Sequence, residues 1–499
     1  MPQNKFVFLT QIKQKITQFR NLKKNFMGNI IFNTKFTLLL KIIFFLLSIS
    51  VIYSCKITLK GSKPISLPSN NIKTDSMAAD VKAQMLHCWN TYKKYAWGHD
   101  EVRPLAMSSK NYYNEPLMLT PISAYSTFRM MGLDQEAAEC KELIMSRLNF
   151  DRDITVNHAE VVHVVLGGLL NAYEADNDEQ WLDMAADLGN RLIPAFNAPW
   201  GLCYRQVNLK TGTTSGDIST PNEIGGMLME YGTLSIYTGD AKYFDIAMKG
   251  TKSLYNRKSK INLLGSAMDV RSGTWTNPES NIMEGSDIWI DDLYKAAVLF
   301  NNAELYAMFT TNITAIIKYL REYTESGTWY ENGNMNYGTQ VHPEFSAQSC
   351  SFPALLMLYG NKTEADLVFE SVIRYWSEYG MAPELMNYKS KQVISASYLL
   401  RPQPLLSAAV LNKYGNKSRY LQAGNYFYTQ LVKFCRNDDN GFVALRDVRT
   451  LEKMDQLDYY FFGATLKYAY MLYNSEAARY LDTHVFNASG MMFKKPSNE

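Results

Sequence analysis

One unit recurs along most of this chain: an apolar helix rich in aromatic residues, a turn of Gly, Asn or Asp, then a second amphipathic helix. It is read in LGGLLNAYEADNDEQWLDMAADL (166–188), LMEYGTLSIYTGDAKYFDIAM (228–248) and LYKAAVLFNNAELYAMF (293–309). ALLMLYGNKTEADLVFESV (354–372), AAVLNKYGNKSRYLQAGNYF (408–427) and LKYAYMLYNSEAARYL (466–481) continue it. From residue 80 onward apolar residues return at three and four, the helical period, and no long alternating stretch competes as strand. The turns return every ~55 residues, a spacing that marks a repeat architecture. A lone helical hairpin cannot cover its own apolar face, so the pairs must stack, and the expectation is an all-α fold, an (α/α)7 barrel or toroid of about seven helix pairs. The more apolar first helix of each pair would line the inside. An open superhelix of helix pairs is the alternative. The connectors favour closure: NLKTGTTSGDISTPNEIGG and GSAMDVRSGTWTNPESNIMEGSD are long and carry turn residues. Such loops would gather at one end as the floor and rim of a pocket.

The 499 residues allow a large core, and 46% hydrophobic with 20% charged residues is ordinary globular composition. A net charge of +3, much of it near the amino end, gives no footprint for nucleic acid. The 33 Tyr and 8 Trp suit helix packing first, and a sugar cleft lined with stacking rings second. Cys55, Cys88, Cys140, Cys203, Cys350 and Cys435 lie far apart with no CxxC, which argues against a structural zinc site and leaves any disulfide connectivity open.

The amino end carries an address. Residues 1–35 are basic, with Lys13, Lys15, Arg20, Lys23, Lys24 and Lys35, and read as a cytoplasmic tail. FTLLLKIIFFLLSISVIYSC (36–55) follows, with an apolar run of roughly 17 residues, the short end for a membrane span. Positive charge before it predicts a cytoplasmic amino end and an exported body, so 36–55 reads as a signal-anchor. A cleaved signal peptide or a bacterial lipid anchor at Cys55 are the alternatives. Residues 56–79 read as a linker, 80–492 as the barrel and 493–499 as a tail. Four Asn-x-Ser/Thr sequons, at Asn312, Asn361, Asn416 and Asn487, fit a lumenal body.

A set of ordered motifs then narrows the reading. WNTYKKYAWGHDEVRPL (89–105) comes first, then MGL (131–133), and Glu160 just ahead of VVLGGLLNAYEA. LIPAF, YRQVNL and MEYGTLSIYTGD with Glu230 follow, then EGSDIWIDDLYK with Asp287 and Asp291, GMAPE ending in Glu384, and YLLRPQ with Arg401 and Gln403. GFVALRDVRTLEKMDQLDYYFFGATLKYAYMLYN and HVFNAS close the series. Together they resemble glycoside hydrolase family 47, the class I α-1,2-mannosidases, and most closely its ER degradation-enhancing α-mannosidase-like branch, over roughly residues 84–492.

The resemblance implies inverting hydrolysis with calcium. An inverting glycosidase needs two carboxyls about 6.5–9.5 Å apart, one to protonate the leaving oxygen and one to activate water. Calcium takes oxygen ligands only, and in this family it helps seat sugar and water. Carried over by position, Glu160 matches the acid, Asp287 a second essential carboxylate and Glu384 another acidic active-site position. Gln403 stands where the motif RPE has its base, and glutamine cannot take up a proton as a base must. Glu230, Asp291, Arg401 and Asp458 match sugar-binding or pocket positions. Other departures fall in the same places. Leu406 and Ala464 replace Glu, Val164 replaces Arg, and Ser123 and Ser126 replace two Asp. Ala488 replaces the Thr that ligates calcium in FNTE, and Ser489 replaces its Glu, so no metal ligand is assigned here and calcium binding is doubtful.

Each site residue also has a plainer reading. Glu160 could be a hydrogen-bonded structural carboxylate, and Asp287 with Asp291, at i and i+4, could cap a neighbouring helix. Glu384 could be a helix-entry charge, and Arg401 could simply pair with one of these acids. Glu230 could be solvated, Glu223 a loop charge, His163 a core histidine and Cys350 a buried thiol. The expectation is a family member of the secretory pathway, in the ER or Golgi membrane with a lumenal body. It would act on or recognise high-mannose N-glycans in glycoprotein quality control and ER-associated degradation, alongside ER quality-control partners. Its catalysis would be impaired by loss of the base and of the calcium ligand, as in a pseudoenzyme. The alternative is an active inverting α-1,2-mannosidase.

Overall fold

In the computed structural model, residues 64–68, 71–283 and 285–496 are described. The basic tail, the 36–55 segment and the start of the linker lie outside them. No helix among the described residues is long and apolar enough to cross a membrane.

Among the described residues, fourteen long helices alternate between two layers. The outer helices are α1 (Thr74–Tyr95), α3 (Asp134–Arg147), α5 (Glu179–Leu192), α7 (Lys242–Tyr255), α9 (Ala303–Tyr319), α11 (Lys362–Ser377) and α13 (Ser418–Cys435). The inner helices are α2 (Leu119–Met131), α4 (158–176), α6 (Leu228–Thr238), α8 (Asp287–Leu299), α10 (Phe352–Tyr359), α12 (Gln403–Tyr414) and α14 (461–473). Each inner helix packs on the next, and α14 packs back on α2 and on α1, which closes the ring. The helical part of the sequence reading holds: this is an (α/α)7 toroid, not an open superhelix.

The two layers follow from patterning. On α5, Trp181, Leu182, Ala185, Leu188, Gly189 and Leu192 are buried, one stripe of an amphipathic helix whose start is capped by Asp178. On α2 every residue from Leu119 to Phe128 is buried, as an inner helix requires. Small residues allow close approach: a Cβ on Gly168 of α4 would sit 2.2 Å from Ile122 Cγ2 of α2, so only glycine fits. Trp89, Trp181, Trp329 and Trp376 are fully buried, and truncating any of them to Ala would cost roughly 3–5 kcal/mol.

The connectors differ from the loops expected. They hold short strands that pair from one connector to the next. Thr155–Asn157 pairs with Gln206–Asn208, Ile218–Ser219 with Ala267–Asp269, and Glu344–Ser346 with Leu385–Asn387. Bridges Tyr398–Leu445 and Val102–Leu457 carry the pairing round to the first connector. Strands of two to four residues are too short to show an alternating pattern, so periodicity could not find them.

A final hairpin, His484–Phe486 with Met492–Lys494, plugs the ring. Lys295 of α8 donates to Phe486 O at 2.7 Å, Lys467 of α14 to Gly490 O at 2.5 Å, and Asn487 Nδ2 to His163 O of α4 at 2.9 Å. Two boundaries shift from the sequence reading. The first helix starts at Thr74, within the residues read as linker, and the last strand runs to Lys494, within those read as tail. Both ends are fixed by packing and strand pairing that the local sequence does not announce. Two of the four sequons are buried: Asn312 bonds Trp289 Nε1 and Asn262 O, and Asn487 bonds Glu230. Asn416 is exposed and Asn361 half-buried. Cys88, Cys140, Cys203, Cys350 and Cys435 are buried free thiols.

Candidate active site

Each outer helix returns the chain to the end where the next inner helix begins. All the inner helices therefore start at one end of the ring, and their free N–H groups favour acidic side chains there. Glu160, Glu230 and Asp287 sit in the first turns of α4, α6 and α8 and Asp458 just ahead of α14, whereas Asp291 lies one turn into α8 and Glu384 in the connector beside the strand Leu385–Asn387.

Asn157 caps α4, accepting from the Glu160 backbone N–H at 3.0 Å, which puts Glu160 in the first turn. The helix then widens into a π turn at Val162–Leu166, a feature frequent at functional sites. Tyr113 donates to Glu160 Oε2 at 3.0 Å. Burial pushes the Glu160 carboxyl above the usual range, the Tyr113 bond opposes this, and Asp100 and Asp458 push it further up. A carboxyl whose pKa is raised in this way suits a proton donor.

Beside it stands an acidic pair, Glu101 with Asp458, of which the motif reading assigned only Asp458. Glu101 is buried, accepts from Tyr112 at 2.8 Å and lies 3.4 Å from the Lys110 ammonium. Burial, then the charge of Asp458, drives its carboxyl well above the ordinary value. Asp458, just ahead of α14, accepts from Gln456 at 2.7 and 2.8 Å, and Tyr460 Oη lies 2.6 Å from its Oδ2. The Arg401 guanidinium lies 5.8 Å from the Tyr460 ring and pairs with Glu384 through Nη2 at 2.9 Å and Nε at 3.0 Å. Glu384 also accepts from Leu399 N at 3.1 Å. Glu160, Asp458, Arg401 and Glu384 thus stand on one continuous polar rim, with Tyr113, Tyr459 and Tyr460 between them.

Asp287 opens α8. Asn222 clamps it, donating to Asp287 Oδ1 at 2.9 Å while its own oxygen accepts from Trp289 N at 2.9 Å. The next residue, Glu223, is buried. It forms a capping box with Thr220, accepts from Asn157 at 3.3 Å and pairs with Arg205 at 2.9 Å. Read as a loop charge from the sequence, Glu223 instead ties the connector ahead of α6 to the start of α4.

Glu230 lies deeper, while Asp291, one turn into α8, keeps its side chain 25% exposed. Glu230 has no exposure; its Oε1 accepts from His163 Nδ1 at 3.0 Å and Asn487 Nδ2 at 2.7 Å, while Oε2 has no partner. The solvated reading of Glu230 is therefore wrong, because α6 is inner and its first turn lies against the hairpin. His163 is buried, as expected, but serves Glu230. Asp292, which the sequence reading did not single out, is also buried; it caps Leu228 N at 3.2 Å and is pushed well up by burial and by Glu230. Asp291 pairs with Lys295 at 2.5 Å, although burial still raises its carboxyl.

Gln403 is the first residue of α12, and its Oε1 is buried with no hydrogen-bond partner. Leu406 is half-buried one turn on, and Val164 and Ala464 are buried. At the hairpin tip Ala488 is exposed between buried Asn487 and Ser489, so a methyl stands where the resembling motif has a hydroxyl. The Phe486 and Gly490 carbonyls beside it are taken by lysine ammoniums. A calcium ion requires several oxygen ligands. At this tip the Ala488 methyl brings no ligand, the Phe486 and Gly490 carbonyls are already bonded, and no group of three His, Cys, Asp or Glu side chains that could hold a metal occurs among the described residues, so the side-chain donors do not fit the ion.

Residues 84–495 match the profile of Glycosyl hydrolase family 47, and the chain belongs to that family. It is 28% identical over 432 residues to Alpha-mannosidase I MNS5 of Arabidopsis thaliana, covering 81% of this chain and 74% of that protein. It is 29% identical over 410 residues to the ER degradation-enhancing alpha-mannosidase-like protein 2 of Mus musculus, covering 79% and 70%. The fold is similar to that of the alpha-1,2-mannosidase from Trichoderma reesei, with a TM-score of 0.77 at 21% identity over 85% of this chain and 99% of that one.

Proposed function

We propose that this protein recognises high-mannose N-glycans of glycoproteins and cleaves them poorly. The observation that carries the reading is Gln403: an amide with an orphaned oxygen opens α12 at the place where the RPE motif of the family it resembles puts its base. Two of the other acidic candidates are already paired with cations. Glu384 is held by Arg401 and Asp291 by Lys295. Losing a general base lowers a rate by about 10²–10⁴. Glu160 keeps the environment of a proton donor, and the rim keeps acids, Arg401 and tyrosines that hydrogen-bond hydroxyls. Such a site can hold sugar without completing hydrolysis.

The second reading is an active inverting α-1,2-mannosidase, with Asp287 as the base. The observation in its favour is that Asp287, held by Asn222 at 2.9 Å, opens α8 at the end of the ring where Glu160 stands in the first turn of α4. The two readings separate in a long incubation of the full chain with a Man9 N-glycan, followed by mass spectrometry, beside Glu160→Gln and Asp287→Asn. Retention of the intact glycan supports the first. Mannose loss that both variants abolish replaces it with the second.

In the same reading, residues 36–55 anchor the protein in an early secretory membrane with the barrel in the lumen. The basic residues before this segment support that orientation. Work in glycoprotein quality control and ER-associated degradation follows from the glycan, with other quality-control proteins as partners. Protease protection of the barrel in sealed microsomes tests the orientation, and digestion without detergent overturns it.

A further inference from the structure

Trp200 is the least expected side chain on the surface. It is 65% exposed and has φ 67° and ψ 5°, a left-handed backbone that a bulky residue rarely adopts. Strain of this kind is kept where surrounding contacts impose it. Here they are specific. The indole N–H donates to Arg271 O at 3.1 Å, Ser253 Oγ donates to Trp200 O, and the Arg257 guanidinium lies 6.0 Å from the ring. Arg257 is itself fixed, donating to Gly273 O at 3.0 Å and Ser253 O at 2.7 Å. The ring is therefore held rigidly while most of it faces solvent.

Trp200 forms one wall of a shallow groove of about 430 Å³ along α7. The opposite wall is polar: Asp245, Lys249, Ser253 and Asn256 follow one another along that helix face. Lys252, on the same face, is paired with Glu304 at 2.8 Å, Asp245 and Lys249 bring opposite charges to that face, and Arg257 lies against the ring, so the groove carries both signs of charge rather than one. A flat, exposed aromatic face, with carboxylate, hydroxyl, amide and ammonium groups around it, matches one kind of neutral molecule. A pyranose has an apolar C–H face to stack and a rim of hydroxyls to bond. An apolar peptide would leave these polar groups unpaired, which is costly.

We infer that the Trp200 groove is a second carbohydrate site, which takes a neutral hexopyranose arm of the glycan whose other end occupies the acidic rim. This rests on the glycan reading proposed above. One connector joins the two places: it carries Trp200 and, further on, Asn222 and Glu223, which hold Asp287 and reach Asn157 at the start of α4. Two weak sites on one ligand add their effects when the ligand spans both. The rigid ring removes an ordering cost that a mobile side chain would incur.

The test is glycan binding by the full chain, using Man9 N-glycan and methyl α-mannoside, read by saturation-transfer NMR and isothermal titration. Trp200→Ala is expected to weaken the Man9 affinity at least fivefold and to remove one class of methyl α-mannoside contact. Trp200→Phe, which keeps an aromatic face, is expected to retain most of the binding, and Asn256→Ala to lose part of it. Glu160→Gln is expected to leave the Trp200-dependent component in place. Man9 binding that is unchanged in Trp200→Ala but lost in rim variants overturns this inference and leaves the glycan reading standing. Binding that depends on Trp200 and ignores every rim variant supports the groove and overturns the rim as a sugar site. An absence of binding in every variant overturns both. Binding of an unfolded, glycan-free polypeptide through Trp200, with no sugar competition, overturns the carbohydrate assignment.

Discussion

Lys467 allows the most direct calculation. Its ammonium is fully buried on α14 and donates to Ser126 Oγ at 2.9 Å and Gly490 O at 2.5 Å, both neutral acceptors. Burial pulls its pKa from the ordinary 10.5 down to about 7. The unfolded chain keeps the proton up to about pH 10.4, so between these values the unfolded state binds more protons and stability rises with pH. Near pH 7 the folded lysine is half protonated; by pH 9 it is neutral. Integrating the difference gives a gain of about 2 kcal/mol from pH 7 to pH 9, with a limiting slope of about 1.4 kcal/mol per pH unit. Lys467→Met removes the titrating group and should flatten this rise. Ser126→Asp supplies a carboxylate, raises the folded pKa and should stabilise the protein most at neutral pH. The assay is urea unfolding at pH 7, 8 and 9, followed by tryptophan fluorescence. Five buried thiols with raised pKa values oppose the rise in the wild type, because their unfolded counterparts ionise over the same range; the reasoning is therefore refuted if the stability difference between wild type and Lys467→Met does not move in favour of the wild type from pH 7 to pH 9.

Gln403→Glu restores a carboxylate at the favourable first turn of α12; it should raise mannose release at least about 100-fold if the missing base limits the rate. Arg401→Met leaves the Glu384 carboxylate with Leu399 N as its remaining assigned bond; destabilisation of about 3 kcal/mol is expected in thermal unfolding. Any hydrolysis that is found should weaken as pH rises through the raised Glu160 pKa, because the donor must be protonated; a rate–pH profile checks this. If the barrel faces a lumen, glycosidase-sensitive mass should be lost in Asn416→Gln or Asn361→Gln and unchanged in Asn312→Gln, whose side chain is buried.

Much of the ring was legible because its signals are local. Helical periodicity and turn spacing gave the paired helices, and the apolar first members became the inner layer. The strands of the connectors were not legible, since Ile218–Ser219 owes its state to a partner some fifty residues away. At the site, motif positions located Glu160, Asp287, Glu384 and Arg401, but not their partners. The Asn222 clamp, the Glu223 capping box and the Glu101–Asp458 pair join residues far apart in the chain. HDE in residues 99–101 and the box T-P-N-E at 220–223 were the signals available for two of these. Asp292 next to Glu230 had no signal at all, because only the packing of α8 on α6 buries the two acids together. The amino-terminal address lies outside the described residues and still rests on charge and hydropathy alone.

The central claim is recognition without efficient cleavage. The measurement is mass spectrometry of Man9 N-glycan after long incubation with the full chain, run with calcium and with chelator, beside Glu160→Gln and an immobilised-protein retention assay. The account expects intact Man9, retained by the protein, with no dependence on calcium. Loss of single mannoses that vanishes in Glu160→Gln would contradict it and establish a working mannosidase with another base.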